Sequence, residues 1–435
     1  MILRIEDTDA ALRKPEFTDA IVKPLQTLGI TWDEGPYYQS QRKQFHVDAV
    51  YQLVESGHAY FCNLTRDEAD ALAAEAGLPA GYHGWSRDKG LEDGPDCVVR
   101  FRTPDEGTIV IDDVIRGRVE FSCAELEDFV IRRSDGSPTF LVANAVDDAD
   151  MSITHVIRGE DLLNTTPKVM LLWKALDFGE TPTYAHLPLL VNEQGKKLSK
   201  RRDSVALASF RDEGYLPKAM ANALALLGWG PNDDVEIRPI AEIVDQFDLA
   251  RVNKAAAQFD LKKLGHINAE YIKALSPSEF VAAAEPWLTS DEVPWQASAY
   301  RPDVVEALAP EVQQRVAKLD EAPAWLGWLF APVTAYDEKS WTKAMVKGRV
   351  ADRVLDDVIT ALTDDDFSDA DRLEATVMGV GAALSEELGA RVMSQAPVRV
   401  ALTGGGAGIP LWQAMTMLGR DECLARLRAA RDELG

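Results

Sequence analysis

The sequence predicts an α/β domain, split by an α+β insertion and followed by an almost wholly helical region. Three observations predict it. A short apolar run, Ile2 to Ile5, feeds an acidic turn and then a helical pattern, the order of a strand–turn–helix unit. Short β-rich runs separated by turn residues fill the stretch from 98 to 133. Beyond Pro239 the apolar residues recur almost everywhere at helical spacing.

Taken in order, Met1 to Ile5 reads as a buried strand that runs into Glu6-Asp7-Thr8-Asp9. Phe17, Ile21, Leu25 and Leu28 recur at helical intervals, with Pro24 a kink and Gly29 the stop. Trp32 to Pro36 reads as loop. A second helix starts near Ser40, with Phe45, Ala49, Val50, Leu53 and Val54 on its apolar face, and Gly57 closes it. Thr65-x-x-Glu68 is a capping box: each side chain takes an amide that the first helical turn leaves unpaired. Val98 to Arg102, Thr108 to Val114, Arg118 to Ser122 and Phe129 to Arg133 read as strands, parted by turn segments such as Pro104-Asp105-Glu106-Gly107 and Asp135-Gly136. The α/β pattern resumes at Phe140 to Val146, placing Asn144 near a strand end. Thr166-Pro167 opens a helix that reaches Leu176. Ser276-Pro277-Ser278-Glu279 is a second capping box, and Trp325, Trp328, Leu329 and Phe330 suggest a dense helical core. Residues 364–366, three aspartates, read as a solvated loop.

Composition narrows the class. With 435 residues, 46% of them hydrophobic, the chain has ample core for more than one domain. No apolar stretch is long enough to cross a bilayer, and the acidic residues after Ile5 do not suit an export signal. Cys62, Cys97, Cys123 and Cys423 are scattered, which fits a reducing cytoplasm better than a disulfide framework. The net charge of -25 argues against a generally nucleic-acid-binding surface, but binding needs only a local basic patch.

One such patch exists. Gly195-Lys196-Lys197-Leu198-Ser199-Lys200-Arg201-Arg202 holds five cations within eight residues, after the apolar run His186 to Val191. Lysines there could neutralise charge that moves on a polyphosphate. From charge alone, a solvated basic loop is the plainer reading. Glu6 ends a strand, where open α/β sheets bind ligands, and could accept from a substrate ammonium group. Its plainer reading is a helix cap, a role better suited to Asp7 or Asp9. Arg158 follows a β-branched run in Val156-Ile157-Arg158-Gly159-Glu160-Asp161 and could pair bidentately with a carboxylate. Its plainer reading is a salt bridge with Glu160 or Asp161. One carboxylate for an amine and one guanidinium for a carboxylate would suit an amino acid.

The ordered set LRIEDTD (3–9), WDEGPYYQSQR (32–42), VIRGED (156–161), KKLSKR (196–201), ALLGW (225–229), FDLKKL (259–264) and VRVALTG (398–404) resembles bacterial glutamyl-tRNA synthetases, a family of class I aminoacyl-tRNA synthetases. The resemblance spans essentially the whole chain. It implies a Rossmann-like catalytic domain over 1–58 and 138–194, with an acceptor-stem-binding insertion over 59–137. A KMSKS loop and stem-contact region would span 195–275, and a helical anticodon-binding region 276–435. It also implies site roles. Glu6 would hold the amino group of glutamate and Arg158 its side-chain carboxylate, with Asn144 and Phe140 lining the same pocket. Lys197, Ser199 and Lys200 would close over ATP, with Lys197 and Lys200 the catalytic cations and Lys200 most directly on the phosphates. Leu189 and Leu190 would cradle adenine. The expected substrates are ATP with Mg2+, glutamate and tRNA-Glu, with tRNA-Gln open, and the expected state is a cytoplasmic monomer.

Departures from the family shape further expectations. The family's first strand and HIGH-type ATP signature precede LRIEDTD and are not in this chain, so we expect Met1 to be an internal methionine of a longer reading frame. The alternative is an inactive or non-catalytic tRNA-binding form. Phe140 stands where the family usually has Tyr, and Leu162 where His or Trp is common. Of the cysteines that bind zinc in some members, only Cys62 is present, with Ser86 near the later ligand position and His83 close by; we expect no zinc. A shortened tRNA-base-modifying relative is disfavoured by the helical region from 276 to 435. Glutaminyl-tRNA synthetase is disfavoured because its anticodon half is β-barrel.

Overall fold

The computed structural model describes residues 1–8, 13–198, 207–348 and 350–435. Its contacts divide the chain into two compact units, 1–205 with 221–260, and 206–220 with 261–435.

The first unit opens with β1 (Ile2–Ile5), α1 (Pro15–Thr27), β2 (Glu34–Tyr38) and α2 (Lys43–Glu55). β1 and β2 pair in parallel, so residues 34–36, expected as loop, belong to a strand. Gly35 permits this: its φ is +102°, and a Cβ there would collide with the Leu3 carbonyl. The apolar face expected for α2 holds at Ala49, Val50 and Leu53, but Phe45 is exposed, under the Arg42 guanidinium. α1 buries none of its residues, and Phe17 and Ile21 face solvent.

Next come β3 (Ala59–Cys62), α3 (Arg66–Glu75), β4 (Val98–Phe101), β5 (Thr108–Asp113), β6 (Gly117–Ser122) and β7 (Val130–Arg132). The Thr65–Glu68 capping box starts α3 as expected. β3, β4 and β7 form one antiparallel sheet, and β5 and β6 form a hairpin. Then follow α4 (Phe140–Asp150), β8 (His155–Gly159), α5 (Thr166–Ala175), β9 (Thr183–Leu187) and β10 (Leu190–Val191). α4 corrects the strand expected at 140–146. FLVANAV is a short continuous apolar run, which by periodicity alone reads equally as buried strand or buried helix. Here it is a helix whose residues 141–148 are all buried, packed with α2, α5 and the β3–β4–β7 sheet around Val50, Leu53, Val99, Ile131, Val142 and Leu172. Truncating Leu172 to alanine in such a core costs about 2–5 kcal/mol.

β8 and β9 pair in parallel with Arg158 opposite His186. This register places the site.

α6 (Leu207–Asp212) and residues 217–220 of α7 (Pro217–Ala225) belong to the second unit, and the rest of α7, α8 (Ile240–Gln246) and β11 (Ala257–Gln258) complete the first. β11 pairs in parallel with β10, a strand in a stretch expected to be helical.

The second unit is helical. α9 (Leu261–Lys273), α10 (Pro277–Leu288), α11 (Pro302–Gln313) and α12 (Ala322–Leu326) enclose Phe280, Leu288, Leu308 and Val312, and the Ser276–Glu279 capping box starts α10. After α13 (Glu338–Trp341) come α14 (Ala351–Leu362), α15 (Ala370–Leu388), α16 (Gln395–Thr403), α17 (Leu411–Leu418) and α18 (Arg420–Leu434). They share a second core around Leu355, Leu373, Leu402 and Leu427. Arg426 is buried there because its guanidinium donates to the carbonyls of Trp328, Ala331 and Leu402 and pairs with Glu422. VRVALTG lies on α16 with Val398, Val400, Ala401 and Leu402 buried. The acidic run at 364–366 is less solvated than expected, since Asp365 is buried and pairs with Arg372. No described helix is long and apolar enough to cross a membrane.

Candidate active site

The C-terminal ends of β1 and β8 carry Glu6 and Arg158, the polar groups that the sequence singled out at strand ends. Glu6 follows β1 with its carboxylate half exposed, 3.5 Å from Arg4 Nη2. It caps no helix. Asp7 takes the polar task instead, accepting from the Ser40 amide at 2.8 Å and from its hydroxyl. Arg4 also pairs with Asp148 at 2.7 Å. Burial pushes the Asp148 carboxyl above its ordinary value, with Arg4 opposing and Glu6 adding to the rise. Asn144 lies on α4, not at a strand end, and is buried with Oδ1 accepting from Gln39 Nε2 at 2.8 Å. Phe140 opens α4 and packs at the edge of its apolar core.

Arg158 does not form the local salt bridge with Glu160 or Asp161. Its Nε lies 3.3 Å from His186 Nε2, and its Nη2 donates to Thr166 Oγ1 at 2.7 Å, with longer contacts to Thr165 and the Leu162 carbonyl. Glu160 is engaged elsewhere, with Arg116 and the Leu189 amide. Burial lowers the Arg158 pKa, and the charges of Tyr184, Asp148, Glu6 and Asp161 act against that. Behind it stands a pair that the sequence did not reveal. His186 Nδ1 lies 2.6 Å from Asp113 Oδ2, and both side chains are fully buried. Asp113 also accepts from the amides of Ile115, Arg116 and His186. Burial opposes its ionisation, yet these hydrogen bonds hold its pKa below the usual value. Burial pushes the His186 pKa down despite Asp113. The only signal in the sequence was a lone polar residue opening the apolar run at 186.

The lysine loop begins as a hairpin: Leu198 N–H donates to the Leu190 carbonyl, and Asn192 Oδ1 caps the turn by accepting from the amides of Gln194 and Lys196. Lys197 Nζ reaches Asp161 Oδ2 at 3.0 Å. Ser199 and Lys200 lie outside the described residues. Leu189, expected near adenine, has its N–H on Glu160 and its carbonyl on the Ala257 amide, while Leu190 is partly exposed. Near the expected zinc position, Cys62 and Ser86 are buried, and His83 is an exposed loop residue whose Nε2 lies 2.9 Å from the Pro79 carbonyl. Among the described residues no three His, Cys, Asp or Glu side chains converge to hold a metal.

Comparison with known proteins gives the class first. Residues 1–266 match the family model described as class I tRNA synthetases (E and Q), catalytic domain, and residues 279–431 match the anticodon binding domain. A class I catalytic domain followed by a helical anticodon-binding domain is the fold that the sequence predicted. A glutamate–tRNA ligase of Thermobifida fusca is 48% identical over 439 residues, covering 100% of this chain and 90% of the relative. One of Frankia alni is 49% identical over 437 residues, covering 100% and 91%. Among solved structures, a glutamate tRNA ligase from Elizabethkingia meningosepticum in complex with its amino acid matches with a TM-score of 0.86 at 28% identity, covering 100% of this chain and 93% of that one. The chain belongs to the glutamate–tRNA ligase family.

Proposed function

We propose that this chain uses ATP to join glutamate to the 3′ end of tRNA-Glu, with Arg158 reading the side-chain carboxylate and Glu6 the amino group of glutamate. A carboxylate oxygen of glutamate attacks the α-phosphorus of ATP, the bond to the β-phosphate oxygen breaks, and pyrophosphate leaves with the electron pair. A ribose hydroxyl of the tRNA then attacks the activated carbonyl carbon and AMP departs. Both steps depend on positioning and charge stabilisation rather than on a side-chain nucleophile.

One observation carries the reading: the Arg158 guanidinium, at the end of β8, is held by His186 and Thr166 rather than by Glu160 or Asp161, while the half-exposed Glu6 carboxylate at the end of β1 has, among the described residues, only a 3.5 Å contact with Arg4. Asn144 and Phe140 line the amino-acid side in this proposal. Lys197, Ser199 and Lys200 meet the phosphates, and Lys197 exchanges Asp161 for ATP. Adenine lies against Leu189 and Leu190, with Leu190 the more accessible. Mg2+ enters as the counter-ion that ATP brings. Segment 59–137 takes the acceptor stem, 195–275 the stem beyond it, and the helical region from 276 the anticodon. We place the protein in the cytoplasm as a monomer.

The test is charging of purified tRNA-Glu with labelled glutamate, ATP and this chain, beside glutamine and aspartate as amino acids and tRNA-Gln as acceptor. Ester formed from glutamate alone, with stoichiometric AMP, is the expected result. Binding of tRNA without any ester would favour the non-catalytic alternative. Charging of tRNA-Gln with glutamate would define a broader tRNA range.

A further inference from the structure

The Asp113–His186 pair is a fully buried ionisable pair in contact with Arg158 of the candidate site, and the reaction as proposed gives it no task. Its geometry fixes its chemistry. A carboxylate that receives three backbone amides can only accept, so His186 Nδ1 carries the proton that points at Asp113. On the other side of the ring, Arg158 Nε can only donate, so Nε2 must present its lone pair. Thr166 completes the arrangement. Its oxygen accepts from Arg158 Nη2 at 2.7 Å, which leaves its own proton for His186 Nε2 at 3.0 Å.

The side edge of the guanidinium, Nε and Nη2, is therefore gripped by a neutral imidazole and a hydroxyl. Nη1 has no hydrogen-bond partner among the described residues, so it is the end left for a ligand. The strand register supports the grip, because Arg158 and His186 sit opposite one another on parallel neighbours and their side chains share a face. Tyr184, two residues before His186 on the same strand, lies near-parallel to the ring with centroids 6.2 Å apart.

We propose that His186, locked in one tautomer by Asp113, is a positioning residue that holds the Arg158 guanidinium with Nη1 offered to the side-chain carboxylate of glutamate. This rests on the assignment of Arg158 to that carboxylate. The histidine touches no substrate. It gives the guanidinium a neutral acceptor where a second carboxylate would cancel the charge that selects glutamate. A protonated ring would put a donor against a donor and release the arginine.

The experiment is steady-state tRNA charging by the full chain with glutamate and ATP varied separately, for His186→Leu, His186→Gln, Thr166→Val and Arg158→Ala. Losing one charge-assisted hydrogen bond corresponds to roughly a 10- to 100-fold change. The expected result is a rise of that size in the glutamate KM for His186→Leu, with the ATP KM unchanged. His186→Gln should recover most of the loss, because its amide oxygen can accept where Nε2 did. Thr166→Val removes only a hydroxyl and should shift the glutamate KM in the same direction, which keeps the test decisive if His186→Leu does not fold. If Arg158→Ala raises the glutamate KM while the His186 and Thr166 variants do not, the positioning role is overturned and the arginine assignment stands. If Arg158→Ala leaves the glutamate KM unmoved, the arginine assignment fails and the positioning role fails with it. Equal loss for glutamate and ATP, tracking lowered melting temperature and not recovered by glutamine, would reduce His186 to a structural residue and also overturn the proposal.

Discussion

Lys197 Nζ sits 3.0 Å from Asp161 Oδ2, so the second lysine of the cationic loop is tied to the turn that directly follows Arg158. Both side chains are about half exposed, and a pair of this kind contributes at most about 1 kcal/mol. It is weak enough for a phosphate to replace. Asp161→Asn should therefore leave the melting temperature within error and lower the ATP KM, by freeing the lysine. A higher ATP KM would mean that the carboxylate orients Lys197 for its task.

Lys200 lies beyond the described residues, but its place in the loop makes a direct prediction. Lys200→Ala should slow adenylate formation by about 100-fold, the scale of one lost charge-stabilising contact in a transition state. Far-UV circular dichroism should not change. Pyrophosphate release in the charging assay reads the rate, and an undiminished rate would remove Lys200 from the phosphate site.

Arg158→Ala should weaken glutamate much more than ATP. The guanidinium is gripped by His186 and Thr166 on one edge only, so its loss removes a ligand contact rather than a scaffold. Separate KM values for the two substrates check this. Equal weakening of both would contradict its role.

Stability in the first unit should depend on Arg87. Its guanidinium donates twice to Asp128, at 2.7 Å from both Nε and Nη2, and Asp128 is almost wholly buried. Arg87→Met leaves that carboxylate its hydrogen bonds from the Tyr60 hydroxyl and the Thr103 amide but takes away its counter-charge, and should cost about 3–5 kcal/mol in urea unfolding. The double variant Arg87→Met with Asp128→Leu should regain part of the loss, because no unpaired charge remains. No recovery would place the cost in packing.

The pH dependence has a definite sign. Burial holds the His186 pKa below its ordinary 6.5, so between that value and the folded one the unfolded chain binds the extra proton. Its contribution is complete above pH 6.5 and is lost as pH falls below it. Asp113 and Asp147, both held below 3.8 by hydrogen bonds that outweigh burial, contribute above that value and are lost only at stronger acid. Urea midpoints from pH 8 to 5 should fall with acidification in the parent chain. In His186→Gln that slope should flatten, and an unchanged slope would assign it to other groups.

The sequence by itself determined the family and the local signals that need only neighbours along the chain. The two capping boxes formed as read, since their hydrogen bonds close within three residues. The ends of β4 to β6 fell close to the turn residues, because those residues set local backbone geometry. Glu6 and Arg158 were legible as a contrast of charge at strand ends. What only the tertiary structure decided involved partners far apart in sequence. Whether FLVANAV became helix or strand turned on which surfaces could bury it on all sides, and periodicity in so short a run carries no such information. Residues 34–38 became a strand because β1 supplied its hydrogen bonds. The grip on Arg158 joins Asp113, Thr166 and His186 across 73 positions of chain: the parallel register of β8 and β9 sets Arg158 beside His186, and the end of β5 packs Asp113 against β9. Hydrogen bonds over such separations follow from packing, so no pattern along the chain announces them.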